Sequence, residues 1–281
     1  MTAVAIDPAG SQLSIQQPLL SIILPVYNGK SRIRKTLAGV KGKLDQLGPA
    51  IDKLGKQGKE SSSQPYPPYE IIVVDDGSVD GTKKLVESIM QETPDIRLVS
   101  YKTNMGKGYA IKEGVHASMG KYIVFMDGDG EIGTDVLTKY LSSLAVADIV
   151  IGSKNHKGSV VDAPASRKIL SKLFQVFVRA MLGLKVGDTQ VGLKAGNGDA
   201  FRKIFQHVTV NRYAFDAEML AIASILGLRI KELPVRISLN KSFKRKDIFR
   251  MAVDVIGIAY KLRVSRWYQK TLSRHDAAVV A

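Results

Sequence analysis

Two acidic clusters each follow directly on a short apolar run. Asp75-Asp76-Gly77-Ser78 comes after Val73-Val74, and Asp127-Gly128-Asp129-Gly130-Glu131 comes after the run ending at Met126. Carboxylates that do not neutralise one another recruit a cation, and hard oxygen ligands suit Mg2+ or Mn2+. Such a cation in turn draws phosphate oxygens. Asn104-Met105-Gly106-Lys107-Gly108 lies between the clusters as a Gly-rich basic loop, and Pro25-Val26-Tyr27-Asn28 closes an earlier apolar run. An isolated Asp-x-Asp arises by chance about once in a chain of this length. Asp-Asp-Gly-Ser alone is often only a turn. The chemistry is carried by their joint placement.

The elements that must position these groups are legible as alternating patterns. Leu20–Val26, Glu70–Asp76, Ile96–Tyr101, Lys121–Asp127 and Asp148–Ser153 are dense in apolar residues, as strands of a parallel sheet covered on both faces should be. Helical spacing marks Lys30–Leu47, Thr82–Gln91, Lys107–Ser118 and Thr134–Leu144, with Asp80 or Thr82 suited to cap the second. Strand alternating with helix predicts an α/β fold with right-handed crossovers. In such open sheets ligands sit beyond the carboxyl ends of the strands. All four chemical features fall there. Gly48–Pro68, rich in Gly, Lys, Gln, Ser and Pro, is expected to be a helix end and an exposed loop. Later, Ser166–Leu184 and Phe215–Leu226 are expected helices, Arg229–Leu239 is extended, and Asp247–Arg263 has helical spacing.

Composition narrows the class. The chain has 281 residues, 45% hydrophobic and 24% charged, enough for a full core and too apolar for a disordered tail. No run approaches the roughly 18 apolar residues of a spanning helix, and Met1–Gln17 lacks the basic-then-apolar pattern of a secretory signal. Cysteine is absent, which excludes a disulfide framework, a zinc ribbon and a thiolate nucleophile. Four scattered histidines have no metal-ligand spacing. No Gly-x-Gly-x-x-Gly follows the first strand, and no Gly-x-x-x-x-Gly-Lys-Ser/Thr occurs. Lys+Arg 41 against Asp+Glu 26 leaves a formal charge of +15, which favours anionic partners. Without a basic helix carrying aromatic platforms, nucleic acid is not expected among them.

Val73-Val74-Asp75-Asp76-Gly77-Ser78 together with Asp127-Gly128-Asp129 resembles glycosyltransferase family 2, with its GT-A fold: a Rossmann-like, mostly parallel sheet flanked by helices. The likeness runs from about Leu20 to Arg263. It is strongest to the polyprenyl (dolichyl) phosphate glucosyl- and mannosyltransferases, through Asn104–Gly108, Gly152-Ser153-Lys154, Arg167–Ser171, Asp188–Lys194, Phe215–Glu218, Leu233-Pro234-Val235 and Ser242. The resemblance implies that Pro25, Tyr27, Asp75 and Asp76 line the nucleotide pocket and that Lys107 lies near the nucleotide. It also implies that Asp127 and Asp129 hold Mg2+ or Mn2+ on the diphosphate, with Glu131 as third ligand. Lys154, Arg167 and Ser171 are then the acceptor-phosphate site. Asp188, Gln190, Asp216 and Glu218 position the sugar or brace the site.

The chemistry agrees with these assignments. A divalent cation stabilises the charge that grows on a departing nucleoside diphosphate. Arg offers bidentate phosphate contact and a hydroxyl adds a donor. A phosphate monoester is already ionised at neutral pH and needs no general base. The expected activity is thus metal-dependent inverting transfer of glucose or mannose from UDP-glucose or GDP-mannose to a polyprenyl phosphate. A saccharide-hydroxyl acceptor would instead require a base, and Asp188 is the first candidate. A third possibility is a non-catalytic basic module that binds membranes.

Three regions are expected: an N-terminal extension over 1–19, a catalytic domain over 20–240 and basic amphipathic helices over 241–281. From Lys241 to Arg274, ten Lys/Arg accompany two Asp on a helical apolar pattern, the mark of a segment that lies on an anionic bilayer. The expected location is peripheral, on the cytosolic membrane face.

Overall fold

The computed structural model describes residues 5–6, 12–13, 18–55, 69–127, 134–238 and 245–280. Each apolar run expected to be a strand is one: β3 (Leu20–Val26), β4 (Tyr69–Asp75), β5 (Ile96–Ser100), β6 (Tyr122–Phe125) and β7 (Ile149–Ser153). They follow a short antiparallel pair, β1 (Ala5–Ile6) and β2 (Gln12–Leu13). Successive residues of a strand point to opposite faces, and β3 shows why its run is nearly all apolar. Ile23 enters one core, with Ile72, Ile123 and Phe125. Ile22 and Leu24 enter the other, with Ile71 and Val73.

Helices cover both faces. α1 (Lys30–Gly55), α2 (Thr82–Glu92) and α4 (Thr134–Ser143) close one core through Ile33, Leu37, Val40, Val86 and Leu141. α3 (Lys107–Ala117), α5 (Ala165–Leu182), α6 (Gly198–Phe205) and α7 (Phe215–Ile225) close the other. α1 continues past the expected end at Leu47, and residues 56–68 of the expected loop lie outside the described residues. The Asp80 carboxylate takes the Thr82 and Lys30 N–H groups, each at 3.0 Å, and so ties the first residues of α1 and α2 together, just ahead of the Gly81 that caps α2.

Among the described residues the main sheet has seven strands, against five read from the sequence, in the order β10-β7-β9-β6-β3-β4-β5. β9 (Lys194–Asn197) was not expected. It is antiparallel to both β6 and β7, so its first residue lies at the edge where those parallel strands end: Lys194 pairs with Phe125 and Ile151. The extended stretch after Arg229 divides in two. β10 (Ile230–Pro234) joins the main sheet beside β7, while β11 (Arg236–Ser238) pairs with β8 (Val160–Asp162). Pro234, without an N–H, ends the first ladder.

α8 (Arg245–Ala259), a π-helical turn (Tyr260–Val264) and α9 (Trp267–Val280) follow. Met251 is buried, and Val255, Ile258, Tyr268 and Leu272 join the core that α3 and α7 close. α8 therefore packs on α5 and α7.

Candidate active site

The turns after β3 and β4 are tied to each other. Asn28, left-handed at φ 48°, donates its N–H to Ser78 Oγ at 2.8 Å and accepts the Val79 N–H on its side chain at 3.0 Å. Pro25 and Tyr27 flank this turn, Tyr27 half exposed. Asp75 is buried and accepts from the Ser78 N–H and Ser100 Oγ, each at 3.2 Å. Asp76 is buried and filled from within. Its oxygens accept from Tyr101 Oη, Asn104 Nδ2 and the N–H groups of Met105 and Gly106, at 2.8–3.2 Å. A carboxylate accommodates about four such donors. Asp76 therefore shapes the Gly-rich loop, and Asp75 keeps the greater accepting capacity. The same contact, with burial, pushes the Tyr101 phenol well above its ordinary pKa.

That loop delivers Lys107. Gly106 caps α3 at φ 104°, a conformation open to glycine, and a Cβ there would meet Asn211 O at 2.6 Å. Lys107 is the first residue of α3, and its Nζ contacts Asp127 Oδ1 just beyond β6. The Asp127 side chain is 48% exposed. Its other oxygen lies against Gly192, where a Cβ would come within 2.0 Å of Oδ2. Burial acts to lower the Lys107 pKa, but the carboxylates of Asp127 and Asp216 outweigh it and hold the ammonium above its usual value.

Two further lysine–carboxylate pairs continue the row. Lys194, 1% exposed, meets Asp216 Oδ1 at 2.6 Å and donates to Val191 O at 2.7 Å. Asp216 stands in the first turn of α7, where the helix dipole favours a carboxylate. Burial pushes the Asp216 pKa up and the Lys194 pKa down. Lys154, just after β7, reaches Asp188 Oδ2 at 2.7 Å, and its own N–H donates to the same carboxylate at 2.8 Å. The Gln190 N–H adds a third donor at 3.0 Å. With its lone pairs so occupied and its side chain wholly buried, Asp188 positions Lys154 and is poorly placed to accept a substrate proton.

Arg167 and Ser171 lie one turn apart on α5, both partly buried. Gln175, one turn further along the same face, joins α5 to the residue after Lys154: Asn155 Nδ2 donates to Gln175 Oε1 at 2.5 Å and to Gly187 O at 2.7 Å. The acceptor candidates are thereby tied into one unit. Glu218 is not in it. Fully buried, it accepts from Thr209 Oγ1, the N–H groups of Thr209 and Val210, and Tyr268 Oη. Its role is to brace α9 against the 209–210 loop.

Asp129, Glu131 and Ser242 lie outside the described residues. Among the described residues no cluster of three metal-ligating side chains occurs. What is described still fits a hard divalent cation. Asp127 offers a half-exposed carboxylate that already holds a positive charge, and Gly192 lacks the side chain that would displace it.

Sequence reasoning missed several contributors. Lys194 and Gly192 belong to the Asp188–Lys194 segment but had no role. Glu232 on β10 fixes the turn before Asp188 by accepting the Gly187 N–H at 3.0 Å and the Asp188 N–H at 3.2 Å. Asn155 and Gln175 gave no signal. The i+4 spacing of Gln175 from Ser171, on the face that carries Arg167, is the feature that could have marked it.

The family model "Glycosyl transferase family 2" matches residues 21–205. A dolichyl-phosphate beta-glucosyltransferase of Dictyostelium discoideum is 32% identical over 90% of this chain and 77% of its own length. One of Homo sapiens is 31% identical over 88% of this chain and 77% of its own. The crystal structure of glucosyl-3-phosphoglycerate synthase from Mycobacterium tuberculosis with Mn2+ and UDP superimposes with a TM-score of 0.57 at 17% identity. It covers 87% of this chain and 79% of that one. At that identity the likeness shows the shared GT-A fold. The strand-end carboxylates, the sheet that carries them and the relatives over nearly the whole length agree: the chain belongs to glycosyl transferase family 2.

Proposed function

We propose that this protein transfers glucose from UDP-glucose to a polyprenyl phosphate of the dolichyl type. The observation that carries the reading is one row of charges along a single sheet edge, Lys107–Asp127 at one end and the Asp188-held Lys154 at the other. Two anionic groups, a diphosphate and a phosphate monoester, suit those two ends. The names of the relatives favour glucose and a dolichyl carrier. UDP and Mn2+ or Mg2+ in the structural neighbours favour the same donor and metal class.

In the reaction, an oxygen of the acceptor phosphate forms the new bond to the anomeric carbon as the bond to the diphosphate breaks. The diphosphate leaves with the electron pair, and configuration inverts. A bound Mg2+ or Mn2+ would supply charge neutralisation on that leaving group, held by Asp127 with Asp129 and Glu131 as further candidates. Asp75, Pro25 and Tyr27 border the nucleotide. Lys154, Arg167 and Ser171 bind the acceptor phosphate, and Gln190 and Asp216 lie between the two ends. The occupied lone pairs of Asp188 favour this acceptor over a saccharide hydroxyl, because an ionised phosphate needs no base.

Transfer of radiolabelled glucose or mannose to polyprenyl phosphate, against an oligosaccharide acceptor, tests the reading. UDP-glucose with the lipid phosphate should be the productive pair; label appearing only in the oligosaccharide would overturn it. Arg167→Ala should raise KM for the lipid phosphate roughly 10–100-fold, the worth of a hydrogen bond to a charged group. KM for UDP-glucose should stay within about twofold.

The lipid acceptor also favours peripheral binding to an anionic bilayer, on the face that holds the nucleotide sugar. α5 and α8 pack on each other, and each leaves apolar side chains exposed: Ile169 and Leu173 on the first, Phe249 (71% exposed) and Val253 on the second. Lys168, Lys172, Lys246 and Arg250 are exposed on the same helices. Among the described residues no helix is long and apolar enough to cross a membrane. Sedimentation with vesicles should increase with anionic lipid and fall with salt. Phe249→Asp/Val253→Asp should reduce it about tenfold or more, given the apolar area lost. Equal sedimentation of both proteins would count against this surface.

A further inference from the structure

We propose that Lys107 guards the metal carboxylate: in the donor-free protein its ammonium occupies Asp127, and the donor's diphosphate draws it away, so that nucleotide and divalent cation bind cooperatively. The inference rests on the donor reading above and adds an order to it.

One oxygen of Asp127 is engaged by a cation in the structure. Oδ1 is in contact with Lys107 Nζ, while Oδ2 packs beside Gly192, which has no side chain to displace it. A cation approaching Asp127 Oδ1 therefore meets an ammonium already in place. Lys107 is also held in an unfavourable place. It is the first residue of an 11-residue helix with no acidic side chain in its first turn, at the end whose dipole repels a cation and attracts an anion. The contact with Asp127, supported by the charge of Asp216, opposes that repulsion and holds the ammonium there. An anion arriving at the start of α3 reverses the balance. It satisfies the helix end and the ammonium together, leaving Asp127 open to a dication. Lys194 and Lys154 cannot take over that part, because Asp216 and Asp188 hold them.

Linkage makes the consequence measurable, because whatever nucleotide does to metal affinity, metal must do to nucleotide affinity. The test titrates Mn2+ into the full chain, with and without UDP, following the paramagnetic relaxation of water protons. In the parent protein UDP should tighten Mn2+ by a factor in the range of about 5–150, typical of coupled sites. Lys107→Met should bind Mn2+ alone about tenfold more tightly than the parent, and its coupling to UDP should shrink by the same factor. Lys107→Gln, which keeps polarity without charge, should behave alike. Asp127→Asn should lose the gain when combined with Lys107→Met. Unchanged Mn2+ affinity in both Lys107 variants, with UDP still bound by the parent, would overturn the guarding role and leave the donor reading intact. Failure of the parent to bind UDP at any Mn2+ concentration would overturn the donor reading instead.

Discussion

Asp127→Asn is expected to lower kcat by about 10²–10³, the loss usual when one electrostatic stabiliser of a developing anion is removed. The substitution keeps the side chain's shape and its fit against Gly192 but removes the charge that faces Lys107 and that, on the proposed function, would hold the metal. The charge growing on the departing diphosphate then lacks part of its counterion. Because Asp127 is half exposed at the end of β6, the fold has little stake in it, and the melting temperature should move by no more than about 2 °C. Release of glucose from labelled UDP-glucose to lipid phosphate, measured beside thermal unfolding, checks both halves. A chelator should reduce the parent's turnover to a similar floor and barely change the variant's. Parent-like turnover in Asp127→Asn would remove Asp127 from the reaction.

The second large effect is on stability. Lys194→Met should destabilise the fold by about 3–5 kcal/mol, since it strands the Asp216 carboxylate where burial already opposes its charge. Lys194 is 1% exposed and lies against the Phe125 ring, so no water takes its place. Replacing both members, Lys194→Met/Asp216→Leu, should recover most of the loss, because a buried ion pair exchanged for apolar groups of similar volume is often close to neutral. Urea unfolding of the parent, both single variants and the double variant gives the coupling directly. Additive single effects would mean that the pair does not act as a unit. Its position between the Lys107–Asp127 and Lys154–Asp188 pairs explains why an ion pair stands at this point of the core. Asp216 adds to the charge that holds the Lys107 ammonium, and Asp188 in turn acts on Lys194.

The α/β class, five strands of the main sheet and the two acidic clusters were legible in the primary structure for one physical reason. A parallel strand covered on both faces must be apolar at nearly every position, and the turn that leaves it must be made by Asp, Asn or Gly. Leu20–Val26 and Tyr69–Asp75 followed by Gly77 obey this closely. β9 obeys none of it. Lys194-Ala195-Gly196-Asn197 is short, has little apolar side chain, and is a strand only because β6 and β7 lie on either side to pair with it.

The amino-acid order by itself thus determined which residues stand at the ends of the strands, because burial and turn geometry act over a few neighbouring positions. Which of them face one another was decided only by the tertiary structure. Asp188 reaches back 34 positions to Lys154, and Glu232 reaches back 45 to Gly187. An antiparallel strand inserted among parallel ones brings Lys194 to Asp216. Asp76, which the resemblance set beside the nucleotide, is filled by donors 29 and 30 positions on. Glu218 takes Tyr268 Oη from 50 positions on as well as the nearby Thr209 and Val210 N–H groups. A carboxylate's role depends on what occupies its lone pairs, and those partners arrive only when the chain has packed.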